Sequence, residues 1–81
     1  MGAFPPSYTL AQLRADRGLS VRAMRSLTGL SFQEVSLLER GLADPKLTTV
    51  LKLARGLGIE AEPMQAILVA TLRAGRDGDA A

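Results

Sequence analysis

The sequence predicts an all-α fold of five short helices in a single domain, and three observations support this. Hydrophobic residues make up 47% of the 81-residue chain but aromatic residues only 4%, which favours Leu/Ala-rich helices over a β-sandwich. Apolar side chains recur at helical spacing, and no segment shows strand-like alternation. Glycines and helix-capping residues separate the apolar segments, and a chain of this length makes one domain.

The first helix is expected after an irregular lead, residues 1–8, in which two prolines oppose helix formation. Ser7 or Thr9 can cap this helix, because a side-chain oxygen there can accept from a free backbone N–H. The run "TLAQLRADRG" has leucines at helical spacing and is expected to stop at Gly18.

The second and third helices carry the clearest local signals. Ser20 is a good N-cap for a short segment that ends near Gly29. Ser31 caps the next segment, Glu34 follows at the spacing of a capping box, and Gly41 closes the helix. Two short helices joined by a tight, glycine-containing turn predict a helix-turn-helix.

The fourth helix is expected to start at Lys46, a poor capping residue, and to stop at Gly58. Its predicted buried face consists of Leu47, Val50, Leu51, Ala54 and Leu57. A fifth helix is predicted over residues 61–75, with residues 76–81 as a disordered tail.

The fifth segment is apolar nearly all round, so one face can pack on the core while the remainder would be exposed in a monomer. This pattern predicts a homodimer through the fifth helix, and the alternative is an additional core helix. The predicted interface residues are Met64, Ile67, Leu68 and Leu72.

The charge distribution indicates a polyanionic partner and argues against catalysis. The span 10–59 holds eight basic and four acidic side chains, a net charge of +4, whereas the span 60–81 holds two basic and four acidic ones, a net charge of −2. The chain has no cysteine and no histidine, so no enzyme activity, metal site or cofactor is predicted. It also has no targeting or membrane-spanning segment, which predicts a cytoplasmic protein.

The motifs "LRADRGLS", "LERG" and "LKLARGLGI" resemble the Cro and lambda-repressor type of helix-turn-helix domain, also called the xenobiotic-response-element family of transcriptional regulators. The resemblance covers residues 9–60. It implies a lambda-repressor-like DNA-binding domain whose third helix enters the major groove of double-stranded DNA, and a dimeric repressor on an inverted repeat.

The resemblance also implies site residues. Arg14 is expected to form an ion pair with Glu39, and Gln33 to contact a base. The positions expected to face DNA are Ser31, Phe32, Gln33, Ser36 and Leu37. The expected phosphate contacts are Arg22, Arg40 and Lys46.

Some positions depart from the family pattern, and the apolar side chains expected on the recognition surface support an alternative, a protein-interaction module such as an antitoxin. Thr28 stands where the family usually has leucine, with Leu27 as a possible compensation, and Arg25 must turn its head group to solvent. In this alternative the recognition surface is an apolar patch for a protein partner. The patch would consist of Val21, Leu27, Phe32 and Leu37.

Overall fold

The computed structural model describes the backbone of residues 4–80 and the side chains of residues 4–76. Within this part of the chain there are five α-helices and no strand, which confirms the all-α helix-turn-helix fold. The helices are α1 (Leu10–Asp16), α2 (Val21–Thr28), α3 (Phe32–Glu39), α4 (Leu47–Leu57) and α5 (Ala61–Ala80). None of these helices combines the length and the apolarity needed to cross a membrane.

The helix starts follow the capping residues. The Thr9 hydroxyl accepts from the Gln12 N–H, and the Gln12 side chain in turn accepts from the Thr9 N–H. This capping box is not among the features predicted from the sequence. Ser20 caps α2 by accepting from the Ala23 N–H. Lys46 makes no side-chain cap at the start of α4, as expected for a lysine.

The core lies where α5 packs against α1, α3 and α4, and where α2 packs against α3 and α4. Leucines dominate it, together with two methionines that adapt to irregular gaps. The buried cluster consists of Leu10, Leu13, Met24, Leu30, Val35, Leu38, Val50, Leu53, Ala54, Leu57, Met64, Ile67 and Leu68.

The lead before α1 is partly attached to this core. Phe4 and Tyr8 pack against it, and their rings stack with centroids 5.2 Å apart. The Tyr8 hydroxyl donates a hydrogen bond to the Asp16 carboxylate, and this bond raises the pKa of Tyr8. Residues 1–3 of the predicted lead lie outside the described part of the chain.

The predicted buried face of α4 is partly wrong. Leu47 is 68% exposed and Leu51 is also exposed, whereas Leu53, which lies outside the predicted face, is fully buried. The residues that point inward are Val50, Leu53, Ala54 and Leu57, at spacings i, i+3, i+4 and i+7. The helix is therefore rotated relative to the stripe that begins at Leu47, because contacts with α2 and α5 select its inner face.

The predicted dimer interface on α5 is also wrong in its main residues. Met64, Ile67 and Leu68 are 0%, 2% and 2% exposed within one chain, because α5 packs on α1, α3 and α4. Leu72 is half-buried. The apolar residues Met64, Ile67 and Leu68, which are predicted to form the dimer interface, therefore belong to the core of a single chain.

The helix α5 continues past its predicted end. The sequence predicts a stop at Gly75, but the helix runs to Ala80, so residues 76–80 are helical and not the predicted tail. Residue 81 lies outside the described part of the chain.

Thr28 occupies a buried position at the end of α2 without leaving its hydroxyl unpaired. The hydroxyl donates to the Met24 carbonyl at 2.7 Å and accepts from the Leu30 N–H at 3.2 Å. Leu27 is 48% exposed, so it does not replace the missing leucine in the core. These two hydrogen bonds allow a threonine to be buried at a position where the family usually has leucine.

Candidate nucleic-acid interface

The turn between α2 and α3 sets the direction of α3. Gly29 adopts a left-handed conformation, with φ 78°, and its N–H bonds to the Arg25 carbonyl at 2.8 Å. Leu30 then buries its side chain in the core, and Ser31 caps α3. A three-residue connection with a buried anchor at its centre holds the two helices as a rigid helix-turn-helix.

The outward face of α3 carries the residues predicted to contact bases. Val35 and Leu38 point into the core, which turns the first turn of α3 outward. Phe32 is 58% exposed and Gln33 is exposed beside it. Exposed members of the predicted set are Arg22, Ser31, Phe32, Gln33, Arg40 and Lys46, and half-buried members are Ser36 and Leu37.

The apolar patch required by the protein-interaction alternative is smaller than expected. Val21 packs against the core, and Leu37 lines a shallow depression with Ala43 and other residues of the α3–α4 connection. Of the four predicted members, only Leu27 and Phe32 are exposed large hydrophobic side chains. Isolated apolar side chains of this kind are normal on protein surfaces.

Glu34 is held by the start of α3. Its carboxylate accepts from the Ser31 N–H at 2.8 Å, while the Ser31 hydroxyl accepts from the Glu34 N–H at 3.1 Å. The backbone bond from Ser31 is the main cause that lowers the pKa of Glu34, followed by the Ser31 hydroxyl and then by Lys52 and Lys46. The negative charge on the predicted DNA face is thus engaged in capping α3 and is partly offset by two lysines.

This capping arrangement predicts an acid-sensitive contribution to stability. Because the pKa of Glu34 is lowered from its ordinary 4.5, the contribution is present above that pH and is lost as the pH falls through the lowered value. Thermal unfolding of the wild type and of Glu34→Gln, between about pH 7 and about pH 3, measures it. The stability advantage of the wild type should disappear in acid, and a constant difference across the range would contradict this assignment.

A basic groove lies beside the start of α3. Arg22 and Arg25 line it together with the turn residues, and both arginines are exposed, as expected for Arg25. Ser26, Gly29, Leu30, Ser31 and Glu34 complete its wall, and the Glu34 carboxylate is engaged in the cap of α3. Two guanidinium groups next to an exposed helix start form a surface that suits an anionic backbone such as a phosphate chain.

The C-terminal end of α3 is attached to α1 by a bidentate ion pair. Arg14 Nε donates to Glu39 Oε2 at 2.6 Å, and a second guanidinium nitrogen donates to Oε1 at 3.1 Å. The remaining nitrogen donates to the Leu19 carbonyl at 3.0 Å. The hydrogen bond to Glu39 raises the pKa of Arg14, so the guanidinium stays charged.

Comparison with known proteins agrees with this geometry. The helix-turn-helix domain family matches residues 8–67. This chain belongs to the helix-turn-helix domain family. The Cro and lambda-repressor type is a narrower assignment, and the match itself is to the broader helix-turn-helix domain. A relative described as an uncharacterized HTH-type transcriptional regulator, y4dJ of Sinorhizobium fredii, is 39% identical over 49 residues.

That aligned segment covers 60% of this chain and 64% of the relative, so the chain spans slightly less than two thirds of the relative's length. No solved structure shows a significant match to this chain. Among the described residues of this helix-turn-helix domain, no cluster of three or more His, Cys, Asp or Glu side chains is arranged to hold a metal ion.

One contributor to the candidate interface of this helix-turn-helix domain is not predicted from the sequence. From the sequence, Arg25 is expected only to turn its head group to solvent. In the structure it lines the basic groove together with Arg22. The spacing of Arg22 and Arg25, three residues apart on one helix, is the signal that could have found it, because side chains at i and i+3 share a face.

Proposed function

We propose that this helix-turn-helix domain binds double-stranded DNA sequence-specifically and regulates transcription, with α3 in the major groove. The observation that carries the proposal is the exposed first turn of α3, which presents Gln33 and whose cap residue Ser31 lines the groove with Arg22 and Arg25. Arginines can hold phosphates while a glutamine contacts an adenine edge, which is the usual division between positioning and base recognition. The role is non-enzymatic and cytoplasmic, and needs no cofactor.

Further support comes from the residues at the far end of α3. Arg40 caps the helix with its side chain exposed, and Lys46 is exposed at the start of α4. Cations on both sides of an outward helix can contact phosphates on either side of the groove. The name of the curated relative, a transcriptional regulator, agrees with this role.

The proposal includes a two-fold dimer and repression by occupation of an operator. Because the expected stripe on α5 is buried, we propose that the interface lies at the groove of the α4–α5 turn, whose lining includes Leu51, Arg55, Ile59 and Glu60. Leu51 is exposed there, and a two-fold axis can bring Arg55 of one copy to Glu60 of the other. Such a dimer would present two α3 helices about 34 Å apart to an inverted repeat.

Selection of bound DNA tests the proposal directly. The protein is incubated with sheared genomic DNA from its source at moderate salt, and the recovered fragments are sequenced. An enriched inverted repeat supports the dimeric regulator, whereas enriched single half-sites contradict the dimer. Random recovery that is lost as salt rises contradicts sequence-specific binding and favours the protein-interaction alternative, for which the exposed Phe32 and Leu27 are the starting points.

Replacing Gln33 with alanine should relax base preference at one operator position. Loss of a bidentate contact costs about 1–3 kcal/mol, so operator affinity should fall about tenfold or more while binding to random DNA stays unchanged. Gln65→Ala is the matched control, since Gln65 is an exposed glutamine on α5. Competition binding with operator and random duplexes measures both affinities, and an equal loss on both would argue against a base contact.

A further inference from the structure

The helix α5 makes a close backbone-to-backbone contact with Arg40 and Gly41, which directly follow α3. A Cβ atom placed on Gly75 would lie 2.7 Å from the Arg40 carbonyl oxygen and 2.9 Å from the Gly41 Cα. A Cβ on Gly41 would lie 2.8 Å from the Thr71 carbonyl oxygen. These separations leave no room for a side chain on either glycine, so the two segments are in direct backbone contact.

Gly75 has no conformational reason to be glycine. It lies inside α5, and it is not among the glycines with positive φ. Glycine disfavours a helix interior relative to alanine, so an alanine there would improve the helix taken alone. The close approach to Arg40 and Gly41 is the reason that the structure provides.

Thr71, one turn earlier on the same helix, joins α5 to the start of α1. Its side chain is buried, and its hydroxyl accepts from the Leu10 N–H at 2.9 Å while donating to the Ile67 carbonyl at 2.7 Å. The first N–H groups of a helix have no partner within that helix. The Thr71 hydroxyl supplies the missing acceptor from a residue 61 positions away.

These contacts connect α1, α5 and the end of α3 to one another. Thr71 attaches α5 to α1, Gly75 places α5 against Arg40, and the ion pair of Arg14 with Glu39 attaches α1 back to α3. Both α1 and α5 therefore hold the end of α3 in position. The contact from α5 is made with the backbone of Arg40, and the exposed side chain of Arg40 is an expected phosphate contact.

We propose that Thr71 and Gly75 are positioning residues for DNA recognition, which set the pose of α3 from the side of the domain opposite its exposed face. The inference rests on the proposed function, because it assigns these residues to the same DNA-binding helix. A binding site needs its side chains held within about half an ångström, and neighbouring packing supplies that precision. A methyl group on Gly75 would push the Arg40–Gly41 backbone and tilt α3.

Gly75→Ala tests this in the full chain, with two readouts. Operator affinity should fall about tenfold, as for the loss of one good contact, although the substitution favours the helix. Backbone amide resonances should shift at Arg40 and Gly41 and along α3. Ala74→Ser is the matched control, because it adds one heavy atom at the neighbouring exposed position and should leave both readouts unchanged.

A second pair of variants covers the case in which Gly75→Ala does not fold. Thr71→Val keeps the shape but leaves the Leu10 N–H without its acceptor, whereas Thr71→Ser keeps the hydroxyl. Operator affinity should fall in Thr71→Val and be restored in Thr71→Ser. A purely structural role would lower stability while folded protein kept full affinity and unshifted α3 resonances, and that result would overturn the proposal.

The wild-type measurement separates the two possible failures. If the wild type selects no DNA sequence, the proposed function fails and the positioning role fails with it. If the wild type binds an operator and folded Gly75→Ala and Thr71→Val bind it equally well, only the positioning role fails.

Discussion

Gly56→Ala should destabilise the domain by about 3 kcal/mol, even though alanine is the better helix former by about 1 kcal/mol. A Cβ on Gly56 would lie 2.3 Å from the Leu27 carbonyl oxygen, 2.8 Å from the Leu27 carbonyl carbon and 3.0 Å from the Thr28 Cα. These atoms are backbone, so no side-chain rotation can relieve the overlap. The two helices must separate, which opens the packing of α2 against α4.

Thermal and urea unfolding of the purified variants measure the effect. For a domain of this size, 3 kcal/mol corresponds to a fall in Tm of about 15 °C. Gly58→Ala is the control, because Gly58 has φ 66° and a methyl group there would meet no neighbouring segment within 4 Å. It therefore reports backbone strain alone, at about 1 kcal/mol. Equal losses in the two variants would mean that the close helix contact is not the cause.

The local structure could be predicted from the sequence because each signal is contained in a few consecutive residues. The caps at Ser20 and Ser31, the reciprocal bond of Glu34 and the left-handed ends at Gly29 and Gly58 are all observed as expected. A cap needs only a side-chain oxygen and the next free N–H groups, whatever the rest of the chain does. The helix-turn-helix follows from two such signals placed close together.

The inward faces of α4 and α5 could be predicted only in part, because each helix carries apolar residues outside its buried face. On α4, the choice between Leu51 and Leu53 depends on contacts with α2 and α5, which sequence spacing does not contain. On α5, the stripe beginning at Met64 is covered by three other helices. Gly75 is predicted to end the helix because its contact with Gly41 is not visible in the sequence, where the two glycines are 34 positions apart.

The candidate site was predictable in part. The outward position of Gln33 and Phe32 follows from the cap at Ser31 and the inward side chain of Val35, because both fix the rotation of α3. The half-burial of Leu37 depends on how the α3–α4 connection folds back over it. Loop conformation is not encoded in helical spacing, so the sequence overestimates the continuous apolar patch.

Arg14→Met should destabilise the domain by about 2 kcal/mol, the second large effect expected here. Methionine keeps much of the apolar stem of arginine, so the change mainly removes the guanidinium. The Glu39 side chain, 12% exposed, would then lose both hydrogen bonds and its neutralising charge, and the Leu19 carbonyl would lose a donor. Arg14 itself is 25% exposed, which keeps the expected loss below that of a fully buried pair.

A double-mutant cycle with Glu39→Gln, followed by urea unfolding, isolates the pair from its surroundings. Adding Glu39→Gln to Arg14→Met should recover part of the lost stability, because a neutral amide costs less to keep half-buried than an unpaired carboxylate. The expected coupling free energy is about 1–2 kcal/mol, and the bidentate geometry requires that Arg14→Lys also falls short of the wild type. Additive single losses would show that Arg14 and Glu39 contribute independently, and the attachment of α1 to the end of α3 would then have to depend on apolar packing alone.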